Sequence, residues 1–342
     1  MALVGVEGSA RLVEPLVVPD RTIPLPAPQS PGVASAQGFK NALEQRRRSE
    51  GLAVAMTEDE SAGWALPPST VRKEGNVTVR VNALGLRGPE VQPPAEGELR
   101  LLTLGDSSIF GVEVEEKYVF SSVAADRLRE ARGVPVTAYI GGVPGYDSTQ
   151  SLANLRKVGP ALSPTWVVIG CIWSDLYRTD DTTRGTYRRE IVGPFRGLAA
   201  WRIARWQLAP WLASERVRWL DGVEDIGAFD GEGLAPRTSL AAYRRNLEAI
   251  VADTRKLGAR PAFVLLPAPM DFDRTPLPVS IAAYRATMKK VADEAGAPLV
   301  DGPALFLERG SLSWFVDNVH PSREGHVLLG EALGAALVEA SP

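Results

Sequence analysis

Leu99-Arg100-Leu101-Leu102-Thr103-Leu104-Gly105-Asp106-Ser107-Ser108 is an apolar run that breaks into a glycine, a carboxylate and two serines. A short leucine-rich run stopped by turn residues is the pattern of a strand buried on both faces. Runs of the same kind recur at Val136–Ile140, Trp166–Gly170, Phe263–Leu266 and Pro298–Val300. Stretches with helical spacing separate or follow them, over Val119–Ala131, Ser148–Val158, Leu240–Leu257, Ile281–Ala295 and Ser322–Val338. This alternation predicts an α/β fold, a three-layer α/β/α sandwich around a mainly parallel five-stranded sheet. In such sheets ligands sit beyond the carboxyl ends of the strands. Ser107, Gly145 and Ser174 each follow a predicted strand, so all three belong at that rim.

The chain has two histidines in 342 residues, and both fall within Asp317-Asn318-Val319-His320-Pro321-Ser322-Arg323-Glu324-Gly325-His326. Imidazole is the usual proton carrier near neutral pH, so histidine-dependent chemistry is confined to this segment. Asp317 lies three residues before His320, within reach of one ring nitrogen on a loop, which leaves the other nitrogen as a base. An oriented histidine and a serine on a strand-end turn make an acyl-transfer arrangement.

Composition narrows the alternatives. A hydrophobic share of 45% supports a sizeable core, and a net charge of −3 gives no reason to expect nucleic acid or an anionic membrane as partner. The lone Cys171 excludes an intramolecular disulfide framework, and two histidines with one cysteine make a zinc site of the usual ligand types an unexpected feature. No cofactor is expected either. Gly141-Gly142-Val143-Pro144-Gly145 lacks the spacing of a dinucleotide loop, and Pro144 removes an N–H that a phosphate cradle needs. No stretch reaches the roughly 18 to 20 apolar residues of a membrane span, and the opening residues lack the basic start of a signal peptide. The chain therefore reads as cytoplasmic, or as periplasmic or membrane-tethered if an anchor precedes Ala2-Leu3-Val4-Gly5-Val6.

Residues 1–97 read as an N-terminal arm, with a Pro- and Ser-rich stretch at 19–36, a short helix over Gln37–Ala55 whose Arg46-Arg47-Arg48 faces solvent, and a strand over Asn76–Val81. Pro93-Pro94 separates this arm from a main domain at 98–342. Within the main domain, about 179–236 is an insertion carrying Trp201, Trp206, Trp211 and Trp219. It reads either as a flap packed on the domain or as an acyl-binding wall over the site. The acidic run Asp221–Glu232 lacks calcium-loop spacing and reads as solvated loop.

Several separate blocks resemble the SGNH, or GDSL-type, esterase family of bacterial type. Gly105-Asp106-Ser107-Ser108 resembles the nucleophile block, with Ser108 in place of leucine. Gly142-Val143-Pro144-Gly145-Tyr146 resembles the second block, with Ile140 where many relatives have asparagine. Trp173-Ser174-Asp175 resembles the third, with Ser174 in place of asparagine. Asp317-Asn318-Val319-His320-Pro321 matches the last, and Asn82–Glu90 is similar to a lead-in found in many bacterial members. The resemblance spans about residues 78 to 340 and implies a catalytic Ser107, His320 and Asp317. It implies an oxyanion hole from the N–H groups of Ser107 and Gly145, with Ser174 as a third donor. Asp106 and Asp175 are read as braces of their turns, His326 as a structural residue and Cys171 as a small buried hydrophobe.

The expected function is hydrolysis of carboxylic esters through an acyl-enzyme, on a small-molecule or glycan substrate carrying a small acyl group such as acetyl. Two alternatives use the same fold. An acyltransferase would pass the acyl group to a sugar or other hydroxyl, and a binding module would do no chemistry.

Overall fold

The computed structural model describes residues 56–74, 77–176, 178–179, 235–272 and 279–341. The expected helix at Gln37–Ala55, the four tryptophans of the insertion and Asp221–Glu232 lie outside the described residues.

Two antiparallel pairs come first, β1 (Thr57–Asp59) with β2 (Gly63–Ala65) and β3 (Thr70–Glu74) with β4 (Val77–Val81). Strand β5 (Leu99–Gly105) runs into a one-turn helix α1 (Ser107–Phe110), followed by α2 (Phe120–Arg132), β6 (Val136–Gly142), α3 (Ser148–Leu162), β7 (Trp166–Ile169) and the short α4 (Trp173–Leu176). Strands β8 (Arg178–Thr179) and β9 (Ala235–Pro236) pair antiparallel and so bring together the two ends of the 180–234 stretch. Helix α5 (Leu240–Lys256), β10 (Arg260–Leu265), α6 (Val279–Glu294), β11 (Leu299–Asp301), α7 (Gly302–Arg309) and α8 (Arg323–Ala340) follow.

The central sheet has five strands in the order β11-β10-β7-β5-β6, and every pairing is parallel. The chain leaves β5 for the edge strand β6, then crosses back to β7 and continues outward through β10 to β11. The direction of winding thus reverses between β5 and β7, which opens a crevice at their carboxyl ends. Helices α2 and α8 pack together as one layer, and α3, α5 and α6 form the other. Leu101, Leu102 and Leu104 are all 0% exposed although they alternate between faces of β5. Burial contributes about 1.5 to 3 kcal/mol for each such side chain, which fixes β5 at the centre.

Local chemistry sets where the helices begin. Asp147 and Gln150 form a capping box at the start of α3, each side chain accepting from the other's backbone N–H. Helix α2 has no such cap of its own. Its first N–H, at Phe120, instead donates to Nδ1 of His326 on α8 at 3.3 Å.

The described part of the N-terminal segment packs near the carboxyl ends of β5 and β6. Trp64, Leu66, Val79 and Val81 form an apolar cluster with Phe110, Val143 and Tyr146. Arg87 pairs through its backbone with both Val81 and Ile140, covering the free edge of β6. Its side chain is 0% exposed and donates to the carbonyls of Phe110, Gly111 and Val114 at 2.7, 2.9 and 2.5 Å. A desolvated guanidinium costs several kcal/mol unless hydrogen-bonded in this way. The lead-in is therefore bolted to the turn that follows α1. Among the described residues, no helix is long and apolar enough to cross a membrane.

Candidate active site

The site begins where β5 ends. Strands β5 and β6 run on to Gly105 and Gly142, past the ends predicted at Leu104 and Ile140. The glycines that signalled a break instead admit α1 against the sheet. Gly105 has φ +153°, and a Cβ there would lie 2.4 Å from Cγ1 of Ile109. A Cβ on Gly142 would lie 2.6 Å from the backbone nitrogen of Phe110. Side chains at either position would push α1, and Ser107 with it, off the strand ends.

Asp106 caps α1 and ties two loops together. Its Oδ1 accepts the N–H of Ser108 at 2.9 Å, and its Oδ2 accepts the N–H groups of Trp173 and Ser174 at 3.1 and 3.3 Å. Burial raises the pKa of this carboxyl, with the three N–H donors and His320 opposing. Asp106 is thus a brace, as its sequence position suggested.

Ser107, His320 and Asp317 lie in direct hydrogen-bonded contact. Nε2 of His320 is 2.6 Å from Oγ of Ser107, and its Nδ1 is 2.6 Å from Oδ2 of Asp317. Oδ1 of Asp317 accepts the N–H groups of Val319 and His320, both at 2.9 Å, so the carboxylate is held by its own turn. Val316 donates to the carbonyl of His320 at 2.9 Å and closes the loop from the other side. Burial alone would raise the Asp317 carboxyl. The charge of His320 and the N–H donors reverse that and hold it at about 2. Burial likewise opposes the charged form of His320, yet Asp317, aided by Asp106 and Glu113, lifts its pKa above the free imidazole range.

Gly145 lies on a turn between Val143 and Asp147, hung from β5 by the Val143 N–H to Gly105 carbonyl bond of 3.0 Å. Its own carbonyl accepts Nη1 of Arg237 at 2.7 Å, and the Pro144 carbonyl accepts Nε1 of Trp64 at 3.2 Å. Tyr146 returns its hydroxyl to the Trp64 carbonyl. Ser174 is the second residue of α4, and with its N–H committed to Asp106, only its hydroxyl remains to donate elsewhere.

Asp175 is fully buried and accepts from the N–H and hydroxyl of Ser148. Burial and the neighbouring Asp147 charge push its pKa up. It braces α4 to the start of α3. Cys171 is buried, and burial raises its thiol pKa, so it is no thiolate nucleophile. His326 is buried away from the relay and stacks on Phe120 with ring centroids 5.9 Å apart.

Four residues of this construction were not assigned from the sequence: Arg87, Trp64, Arg237 and the hydroxyl of Ser108, which donates to the Val319 carbonyl at 2.9 Å. Ser108 was visible only as a departure from leucine. For the other three, contacts across 23 or more residues carry the role, and no local spacing marks them.

A parallel three-layer sheet with this relay at its switch point is the SGNH hydrolase fold. The chain belongs to the GDSL-like lipase/acylhydrolase family, whose model matches residues 103–328. It is accordingly a carboxylic ester hydrolase. Among solved structures, the chain is similar to Axe2, an acetylxylan esterase from Geobacillus stearothermophilus. The identity is 17%, over 70% of this chain and 94% of that one, with a TM-score of 0.45. It is also similar to LAE5, an alpha/beta hydrolase enzyme from the metagenome of Lake Arreo, Spain, at 15% identity over 70% and 94% of the two chains and a TM-score of 0.46. No curated protein matches the chain.

Proposed function

We propose that Ser107 is the nucleophile of a two-step ester hydrolysis, with His320 as its base and Asp317 as the group that orients the imidazole. The observation that carries this reading is the unbroken relay of 2.6 Å contacts from Ser107 Oγ through His320 to Asp317. Asp317 fixes the proton on Nδ1, leaving the Nε2 lone pair aimed at the serine hydroxyl. As Oγ bonds to the ester carbonyl carbon, its proton passes to Nε2 and the carbonyl oxygen gains negative charge. Collapse breaks the bond to the alkoxide, which takes the proton from His320 and leaves as the alcohol. Water then repeats the sequence on the acyl-enzyme and releases the acid.

The negative oxygen needs donors that are in place before charge develops. The N–H groups of Ser107 and Gly145 are the proposed pair, with the Ser174 hydroxyl as a third. The fixing of the Gly145 turn by Arg237 and Trp64 supports this, because a donor held from both sides reorganises little.

The proposed substrate is a small acyl ester, acetyl on a carbohydrate or natural product, a preference that rests on family resemblance. Hydrolysis of p-nitrophenyl acetate is the test, followed by a panel of acyl chain lengths and acetylated glycans. Activity should be present in the wild type and fall up to about a million-fold in kcat in Ser107→Ala. Turnover that survives this substitution would remove Ser107 from the mechanism, and faster turnover of long chains would overturn the acetyl preference.

A further inference from the structure

Ser108 stands where the GDSL pattern has leucine, and its side chain is 0% exposed. Its hydroxyl donates to the carbonyl oxygen of Val319 at 2.9 Å, across 211 residues of sequence. That carbonyl belongs to the peptide joining Val319 to His320. The N–H of the same peptide, at His320, donates to Oδ1 of Asp317 at 2.9 Å. One peptide plane is therefore gripped at its oxygen by the nucleophile helix and at its nitrogen by the carboxylate that orients the imidazole. The Cα of His320 hangs from that plane. A leucine at this position has no donor and cannot make the first of these two bonds.

We infer that Ser108 is a positioning residue. It sets the distance between Ser107 Oγ and His320 Nε2 by fixing the histidine's backbone to α1, independently of the hydrogen bond between the two reacting groups. This rests on the catalytic roles proposed above for Ser107 and His320. The grip acts on a proton transfer and not on substrate binding, so its loss should appear in kcat. A misplacement of about 1 Å costs on the order of a hundredfold in rate. Ser108→Ala, which frees the loop without displacing it outright, should lower kcat about ten- to hundredfold with KM changed less than about twofold.

The test is kcat per active site, with sites counted by a fluorophosphonate probe. Wild type, Ser108→Ala and Ser108→Cys are compared, the cysteine keeping a donor that is weaker and slightly bulkier than the hydroxyl. The expected order of kcat per labelled site is serine, cysteine, alanine, and the rate of probe labelling should follow the same order. If alanine merely unfolds part of the sample, labelled sites will be fewer but each will turn over at the wild-type rate. That result overturns the positioning role, as does a cysteine variant no better than alanine. The two readings fail separately: a wild-type enzyme labelled at a residue other than Ser107 rejects the catalytic assignment itself, whereas labelling at Ser107 with unchanged kcat in Ser108→Ala rejects only the role given to Ser108.

Discussion

Arg237 reaches back 92 residues to donate from Nη1 to the carbonyl of Gly145 at 2.7 Å. Arg237 is the first residue after β9, and Gly145 is the proposed oxyanion donor. Thr238 adds a second tie, its hydroxyl donating to Asp147 at 3.1 Å. Arg237→Met keeps the aliphatic stem but loses the donor, so the turn should stay folded and loosen. Removing an oxyanion donor outright costs a hundred- to thousandfold in kcat, so loosening one should cost about tenfold. Steady-state kinetics on p-nitrophenyl acetate would check this, and a change confined to KM would contradict it.

His320 must be neutral to accept the serine proton. Despite burial, Asp317 lifts its pKa above the usual 6.5, so kcat/KM should fall as pH drops through a value above that of free imidazole. In Asp317→Asn the lifting charge is gone while burial still favours the neutral ring. The acid limb should therefore move to lower pH, and kcat should drop about ten-thousandfold through loss of the correct tautomer. Full pH–rate profiles of both proteins decide the matter. An acid limb that stays in place would show that another group controls it.

His326 serves the fold instead. It is held neutral, its pKa lowered to about 3 by burial and by the charges of Arg87 and His320. The unfolded chain binds a proton here near pH 6.5 and the native state does not. The associated stability is thus full above that pH and declines as pH falls toward about 3. The slope approaches about 1.4 kcal/mol per pH unit. The buried carboxyls of Asp175 and Asp106, raised in the native state, act in the opposite sense. The histidine's share should therefore appear in urea unfolding as a stability difference between wild type and His326→Gln that shrinks from pH 6.5 to 5. The same variant should be less stable at pH 7.5 by about 1 to 3 kcal/mol, because glutamine carries its acceptor one bond beyond the Nδ1 position and no longer meets the first N–H of α2. Its kcat per labelled site should remain near wild type.

Ser174 has one donor left. With its N–H bound to Asp106, any contribution to the oxyanion comes from the hydroxyl. Ser174→Ala should lower kcat by up to about a hundredfold with little effect on KM, while Ser174→Asn should retain activity. An alanine variant with full kcat would leave the hole to backbone groups.

The architecture was legible because its signals are local. Leu99–Leu104 and Trp166–Gly170 are apolar on both faces, which only a central parallel strand requires, and the amphipathic spacing of Leu240–Leu257 matches α5 within a residue. The relay was legible for the same reason at one end, since Asp317 and His320 share a turn. What stayed hidden depends on the assembled fold. The Thr70–Glu74 strand ends in three consecutive charged residues, Arg72, Lys73 and Glu74, and becomes a strand only by pairing with Val77–Val81. Trp64 and Tyr146 clasp each other across 82 residues, and Pro93-Pro94, read as a divider, gave no hint that the preceding segment packs around the Gly145 turn.

The paired strands β8 and β9 bring Thr179 opposite Ala235, so the two ends of the 180–234 stretch meet at a single doorway. Chain length there can change without moving either threshold. Arg237 stands just inside one jamb, after β9, and Asp175 just inside the other, before β8. A graft spanning residues 180–234 would leave both in place, with the Arg237 bond to the Gly145 carbonyl and the Asp175 bonds to Ser148 intact.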